Sequence, residues 1–194
     1  TSVYYNEGDA IDVEAIVAKV GLPCFVKANR AGSSFGITKV YKKEDIPEAI
    51  NIALKEDNQV LIESFLDGTE VSVGVIIYKG KIKVLPPTEI VSENDFFDYT
   101  AKYEGKSQEI TPARISEEQT AEVSKIAKQI YEILGMKGFT RSDFIFHNNV
   151  PHFIEMNTTP GLSKESILPQ QAIAAGISLE ELFISAIEAA MNKH

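Results

Sequence analysis

The chain has 194 residues, with 19 Lys and Arg against 28 Asp and Glu and a formal net charge of −9. Hydrophobic residues make up 44% and charged residues 24%, which excludes a disordered or fibrous chain and predicts a globular protein of one domain or two small ones. The acidic balance argues against nucleic-acid binding, because binding to phosphate backbones needs clustered Lys and Arg.

The chain contains a single cysteine, Cys24, which excludes an internal disulfide and predicts a cytoplasmic protein. Apolar runs such as 71–78 are too short to span a bilayer, so we expect no membrane insertion. The first residues lack the basic and apolar regions of a signal peptide. They also lack a Met, from which we expect a processed chain or a fragment of a longer one.

The first 85 residues alternate between helix and strand signals. Asp12 is the predicted N-cap of a helix that ends at Val20, with Gly21 after it. The next predicted elements are strands at 23–28, 37–41 and 60–66, a Gly/Ser loop at 30–36, a helix at 44–55, and a hairpin of strands at 71–78 and 82–85.

The regular pattern lapses between Ile90 and Ile115, in a stretch rich in aromatic and charged residues. Long irregular segments are lids or linkers, and the aromatics disfavour a linker, so a closing loop is predicted at about 92–114. The remaining predicted elements are a helix at 116–134, a hairpin of strands at 139–146 and 150–156, and helices at 166–175 and 179–192. This order predicts an α+β fold.

Polar side chains are concentrated on the second hairpin. Arg141 and Asp143 alternate along one strand and share a face, and Glu155 and Asn157 do the same on its partner. Oxygen ligands of this kind suit Mg²⁺, which completes its coordination with water and phosphate oxygens. The alternative is a solvated sheet face with an ordinary ion pair. The following turn at 158–161 offers backbone N–H groups to an oxyanion, and a plain Pro-Gly turn is the alternative.

Two further patterns suit a nucleotide. Lys27 precedes the Gly-rich segment 32–36, whose backbone amides could approach phosphate oxygens, although a plain hairpin connection is the alternative. The acids in 63–70 flank a strand end and could contact an adenine edge and ribose hydroxyls; solubilising acids are the alternative. His147 and His152 are interpreted as surface residues rather than zinc ligands, since no third ligand has suitable spacing.

The order of these motifs resembles the ATP-grasp enzymes, and within them the D-alanine–D-alanine ligase family. The resemblance spans roughly residues 20 to 190, and each motif is weak by itself while the series is strong evidence. The matching segments are 21–27, 30–36, Glu63 with Leu66 and Glu70, 97–103, 141–143, 155–161 and 166–169.

The resemblance implies an ATP-grasp fold, with two α+β lobes and the nucleotide site between them. Residues 1–69 would be a partial central lobe and residues 70–194 the C-terminal lobe. The implied reaction is a two-step ligation for peptidoglycan synthesis. ATP phosphorylates the carboxylate of a first D-alanine, and the amine of a second D-alanine attacks the acyl phosphate.

The resemblance also implies a set of ATP and metal contacts. The ATP-binding residues would be Lys27, Ser33, Ser34, Glu63, Leu66, Glu70 and Lys102. Asp143, Glu155 and Asn157 would hold two Mg²⁺ ions, for which Mn²⁺ could substitute.

Further residues would serve catalysis and the second substrate. Arg141 and the backbone of Gly161 would stabilise the tetrahedral oxyanion, and Ser166 and Ile167 would anchor the carboxylate of the second substrate. Tyr103 would lock the closing loop against Ser33 and favour D-alanine over D-lactate.

Two departures from the family pattern qualify this interpretation. Ala31 stands where an acidic residue is frequent, and the N-terminal domain of the family, with part of the first D-alanine site and a lysine that contacts ATP, has no counterpart here. We therefore expect the chain to be inactive by itself and the complete enzyme to be a homodimer. The alternatives are another ATP-grasp carboxylate–amine ligase, for D-serine, D-lactate or other substrates, and a non-catalytic nucleotide-binding module.

Overall fold

The computed structural model describes residues 1–32, 35–92 and 107–191, which form two compact units with the boundary between Leu66 and Asp67. The first unit contains, in chain order, β1 (Ser2–Asn6), α1 (Val13–Val20), β2 (Cys24–Ala28), β3 (Thr38–Val40), a 3₁₀ turn (Lys43–Asp45), α2 (Ile46–Ala53) and β4 (Gln59–Ser64).

An antiparallel sheet with the strand order β1-β4-β2-β3 supports the first unit. Apolar side chains from the sheet pack against α1 and α2, and Cys24 is fully buried among them as a small core residue. The core consists of Tyr5, Ile16, Val20, Cys24, Val26, Val40, Ile46, Ala49, Ile50, Ala53, Val60 and Ile62.

The predicted ends of α1 are confirmed. The Asp12 side chain accepts a hydrogen bond from the backbone N–H of Ala15 at 2.9 Å, which satisfies one of the free donors of the first turn. Gly21 ends the helix with a φ of 74°, a conformation that favours glycine. Strand β1, by contrast, is absent from the sequence-based prediction, and it forms through pairing with β4.

The second unit is built around a larger sheet. Its elements are β5 (Thr69–Tyr78), β6 (Lys81–Val84), β7 (Thr88–Ser92), β8 (Ser107–Ile110), α3 (Glu117–Ile133), β9 (Phe139–His147), β10 (Val150–Asn157), α4 (Ile167–Ala174) and α5 (Leu179–Met191). The strands are antiparallel in the order β10-β9-β5-β7-β8, and β6 pairs with β5 beyond the end of β7.

Most of the closing loop predicted at about 92–114 lies outside the described residues, and its described part contains a strand. Residues Ser107–Ile110 form strand β8, which pairs with β7 in a register that places Ile90 opposite Glu109. The polar sequence of this strand lacks the alternation of apolar residues that signals a half-buried strand, so the pairing with β7 determines its conformation.

Both faces of the larger sheet carry apolar cores. Alternate residues of β5 and β9 pack against α3 on one face, and at the opposite face residues such as Ile76 pack against α4 and α5. The core against α4 and α5 covers only part of that sheet face. The charged residues of the β9–β10 hairpin occupy another part of the same face. The α3 side contains Val71, Val73, Val75, Val123, Ala127, Tyr131, Phe144 and Phe146.

The predicted start of α3 is confirmed by a capping box. The Ser116 side chain accepts a hydrogen bond from the N–H of Gln119 at 3.1 Å, and the Gln119 side chain accepts one from the N–H of Ser116 at 3.0 Å. Among the helices described in both units, none has the length and apolar character required to cross a bilayer.

Candidate active site

The β9–β10 hairpin brings four polar residues onto one face of the larger sheet. Asp143 lies directly opposite Glu155 and Arg141 directly opposite Asn157, so the predicted shared face is confirmed. The two-residue turn at Asn148 and Asn149 has φ values of 51° and 64°, which is typical of a tight hairpin. The turn sets the register as far as Phe153, and a β-bulge between Phe153 and Glu155 shifts it by one residue, which places Glu155 opposite Asp143.

The carboxylate of Asp143 is the centre of the polar cluster. It accepts hydrogen bonds from Arg141 Nε at 3.2 Å, from Arg141 Nη2 at 3.2 Å, from Asn157 Nδ2 at 3.2 Å and from Ser72 Oγ at 2.5 Å. The side chains of Arg141 and Asp143 are 19% and 14% exposed. Several donors thus hold one partly buried carboxylate in a single orientation.

Ser72 is a functional candidate that the sequence interpretation missed. It lies on β5 opposite Asp143 and is 1% exposed. The signal was present in the strand sequence, because Glu70 and Ser72 are polar residues at alternate positions in an otherwise apolar segment. Glu70 therefore shares the sheet face of Ser72 and Asp143.

The start of α4 brings together Gly161 and Ser166. A Cβ atom on Gly161 would lie 2.7 Å from Ser166 Oγ, so a larger residue would displace that hydroxyl. Ser166 Oγ is 2.8 Å from Ser163 Oγ, and Ser166 occupies the N-cap position of α4. Ile167 is the first residue of this helix and its side chain is buried, so its backbone N–H is the group that could meet a carboxylate.

A cleft of about 250 Å³ lies beside the start of α4. Glu109 contributes to its wall, and desolvation raises the pKa of this carboxyl group while the positive charge of Arg141 opposes the shift. The lining residues are Glu109, Thr111, Glu165, Ile167 and Gln170. Glu109 was not recognised from the sequence, because the irregular pattern around it predicts a loop rather than a strand.

In the first unit, the structure brings together two of the predicted ATP residues. Lys27 Nζ and Glu63 Oε1 are 2.6 Å apart, with side chains 18% and 25% exposed. Leu66 is partly buried at the end of the unit. The predicted Gly/Ser loop lies between the paired antiparallel strands β2 and β3.

Four of the predicted site residues, Ser33, Ser34, Lys102 and Tyr103, lie outside the described residues. No group of three His, Cys, Asp or Glu side chains in residues 1–32, 35–92 and 107–191 has a metal-binding arrangement. His147 and His152 have ring centroids 6.0 Å apart, at the end of the hairpin.

Two similar proteins of known family carry the same name. Over 187 residues the chain is 68% identical to a D-alanine–D-alanine ligase of Flavobacterium johnsoniae, with 96% of this chain and 58% of the relative covered. It is 64% identical over 193 residues to a ligase of the same name from Christiangramia forsetii, covering 100% of this chain and 59% of the relative. The chain thus spans a little under three fifths of these relatives.

Solved structures show the same fold. The D-Ala:D-Ser ligase VanG of Enterococcus faecalis matches with a TM-score of 0.85 and 35% identity, over 97% of this chain and 56% of that one. The ATP complex of a Bacillus anthracis D-alanine–D-alanine ligase matches with a TM-score of 0.82 and 25% identity, over 98% and 60%. These neighbours bear out the expected α+β ATP-grasp fold.

A family model described as D-ala D-ala ligase C-terminus matches residues 4–188, nearly the entire sequence. On this match and on the identity to the two relatives, the chain belongs to the D-alanine–D-alanine ligase C-terminus family.

Proposed function

We propose that this sequence forms the ATP-binding and metal-binding part of a D-alanine–D-alanine ligase. ATP phosphorylates the carboxylate of one D-alanine, and the amine of a second D-alanine displaces the phosphate to form the dipeptide. The observation that carries the proposal is the polar face of β9 and β10, on which the Asp143 carboxylate is held by Arg141, Asn157 and Ser72. A purely structural sheet face has no requirement for such a cluster.

The residues for Mg²⁺ fit a hard cation. Asp143 and Glu155 are neighbouring carboxylates, and the amide nitrogen of Asn157 donates to Asp143, which leaves the amide oxygen for a cation. With two carboxylates and one amide, this set depends on phosphate oxygens and water to complete the coordination of two Mg²⁺ or Mn²⁺ ions. Bound Mg²⁺ would offset the negative charge of the phosphates.

We assign the nucleotide contacts from the family resemblance, residue by residue. Lys27 would bind phosphate oxygens, for which its ammonium group is suited, and it would exchange its contact with Glu63 for one with the nucleotide. Glu70 would accept hydrogen bonds from the ribose hydroxyls. The full proposed set is Lys27, Ser33, Ser34, Glu63, Leu66, Glu70 and Lys102.

The proposed acyl-transfer site lies around Arg141 and the start of α4. The Arg141 guanidinium and the Gly161 N–H would stabilise the oxyanion of the tetrahedral intermediate. Ser166 and the backbone N–H of Ile167 would bind the carboxylate of the second substrate. We propose that Tyr103 and Ser33 close the site, which excludes water from the acyl phosphate.

The decisive experiment replaces metal ligands in the full-length ligase that contains this sequence. Asp143→Asn and Glu155→Gln each remove one negative charge without changing side-chain size, and we expect D-alanine-dependent release of ADP to fall by about 100-fold or more. Glu122→Gln, an exposed residue of α3, is the matched acid-to-amide control. Unchanged turnover in either ligand variant would contradict the metal assignment.

A second candidate function is ligation of D-alanine to D-serine. The similarity to the VanG ligase favours this candidate, because it covers 97% of the chain. Initial rates of phosphate release with D-alanine, D-serine and D-lactate as second substrates separate the two. We expect the highest kcat/KM for D-alanine. Binding of Mg²⁺-ATP without phosphate release on any of these substrates would instead support a non-catalytic nucleotide-binding module.

We further propose that the complete ligase is a cytoplasmic homodimer that produces a peptidoglycan precursor. The requirement for ATP supports the cytoplasmic location, and the family resemblance supports the dimer. Light scattering of the purified full-length ligase gives its mass and tests the oligomeric state directly.

A further inference from the structure

The hydroxyl group of Ser72 makes the shortest contact to the Asp143 carboxylate. Ser72 Oγ lies 2.5 Å from Asp143 Oδ1, whereas the Arg141 and Asn157 nitrogens lie 3.2 Å from its oxygens. Ser72 is on β5, next to β9 in the sheet, and is 1% exposed. A buried side chain with one rotatable bond holds its partner more rigidly than the long Arg141 side chain can.

A side chain of α4 fixes the backbone of Ser72. The fully buried Gln171 donates from Nε2 to the backbone oxygen of Ser72 at 2.7 Å and to Thr88 Oγ1 at 3.0 Å. Gly74 makes room for this side chain, since a Cβ atom there would lie 2.5 Å from Gln171 Oε1. The backbone that carries the Ser72 hydroxyl is therefore fixed within the core.

We propose that Ser72 is a positioning residue that fixes the orientation of the Asp143 carboxylate for a divalent cation. The inference rests on the proposed function, because it takes Asp143 as a metal ligand. A carboxylate without such a donor rotates about its Cβ–Cγ bond and loses part of its alignment with the ion. Hydrogen-bond partners of metal ligands typically change metal affinity by about 10- to 100-fold.

The test measures Mn²⁺ binding by electron paramagnetic resonance in the full-length ligase with a non-hydrolysable ATP analogue. We expect Ser72→Ala to raise the dissociation constant for Mn²⁺ about tenfold and Ser72→Thr, which keeps the hydroxyl, to restore it. The matched control is Ser142→Ala. Ser142 is also fully buried and precedes Asp143, but its hydroxyl has no hydrogen-bond partner among the described residues.

The outcomes separate the inference from the proposed function. A parent-like dissociation constant in Ser72→Ala, or an equal loss in Ser142→Ala, overturns the positioning role. Asp143→Asn is measured alongside, and if it leaves Mn²⁺ binding unchanged, the metal assignment and the inference both fail. If Asp143→Asn weakens binding and Ser72→Ala does not, only the inference fails. Melting temperatures identify a variant that has not folded. If that variant is Ser72→Thr or Ser142→Ala, Ser72→Ala and the other serine variant decide, and if it is Ser72→Ala, Ser72→Cys replaces it.

Discussion

Lys27 and Glu63 form an ion pair across two neighbouring antiparallel strands, with 2.6 Å between Nζ and Oε1. The two residues are diagonal rather than directly opposite, since Glu63 faces Phe25 in the register of β2 and β4. The sequence interpretation places Lys27 at the phosphates and Glu63 at the adenine. In the first unit these two proposed ligands neutralise one another.

The Lys27–Glu63 pair is expected to contribute measurably to stability because both side chains are less than a third exposed. A double-mutant cycle with Lys27→Met and Glu63→Gln is expected to give a coupling energy of about 1 kcal/mol, at the upper end for partly exposed pairs. Urea unfolding measures it. The exposed Lys43–Glu14 pair is the control and should couple less strongly. Equal coupling in the two pairs would contradict this expectation.

The first unit should lose stability at acid pH, because Asp57 then becomes protonated. Hydrogen bonds from the Arg30 side chain, at 2.6 and 3.0 Å, are the main cause that lowers the pKa of Asp57 from 3.8 to about 2. A lowered pKa in the folded state stabilises the fold above pH 3.8, and this contribution is lost as the pH falls toward about 2. We expect Asp57→Asn to flatten the dependence of the melting temperature on pH in this range.

Arg30→Met provides the reciprocal test of the same contact. Because the guanidinium group is the main cause of the shift, this variant should flatten the pH profile as Asp57→Asn does. A parent-like profile in Arg30→Met would show that the Asp57 carboxylate owes its low pKa to other groups.

Gly74 should not tolerate a side chain. A Cβ atom would lie 2.5 Å from Gln171 Oε1 and 2.6 Å from Leu168 Cδ1, both in the core. Gly74→Ala is therefore expected to destabilise the protein by about 1–3 kcal/mol through overpacking. Gly32→Ala is the control, because no atom of the described residues lies within 4 Å of the position that its added methyl group would occupy. Chemical denaturation measures the free energy of unfolding of both variants. Equal values for Gly74→Ala and Gly32→Ala would refute the crowding at Gly74.

Two buried threonines of the larger sheet should respond in opposite ways to the same substitution. The Thr140 hydroxyl has no hydrogen-bond partner among the described residues, so Thr140→Val should stabilise the fold by up to about 1 kcal/mol. The Thr88 hydroxyl contacts Thr111 Oγ1 at 2.6 Å and accepts from Gln171, so Thr88→Val should destabilise it by about 1–3 kcal/mol. If both valine variants changed the free energy of unfolding in the same direction, the assigned hydrogen bonding of the two hydroxyl groups would be wrong.

Local signals were sufficient for much of the fold. Asp12 and Ser116 cap their helices as predicted, because an N-cap side chain satisfies donors within the next three residues. The alternation of Arg141 and Asp143 identified the polar face of β9, since the period of a strand is two. Strands β1, β7 and β8 were missed, because short strands of mixed or polar sequence depend on pairing with other strands of the sheet.

The sequence by itself determined which residue types line the second hairpin and, through the ordered motifs, the family. Tertiary structure decided the surroundings of that hairpin. Ser72 and Asp143 are 71 positions apart, and Gln171 is 99 positions from Ser72, yet hydrogen bonds join them. Helix caps and strand periods act over a few residues, whereas these contacts arise only when β5, β9 and α4 pack into one core.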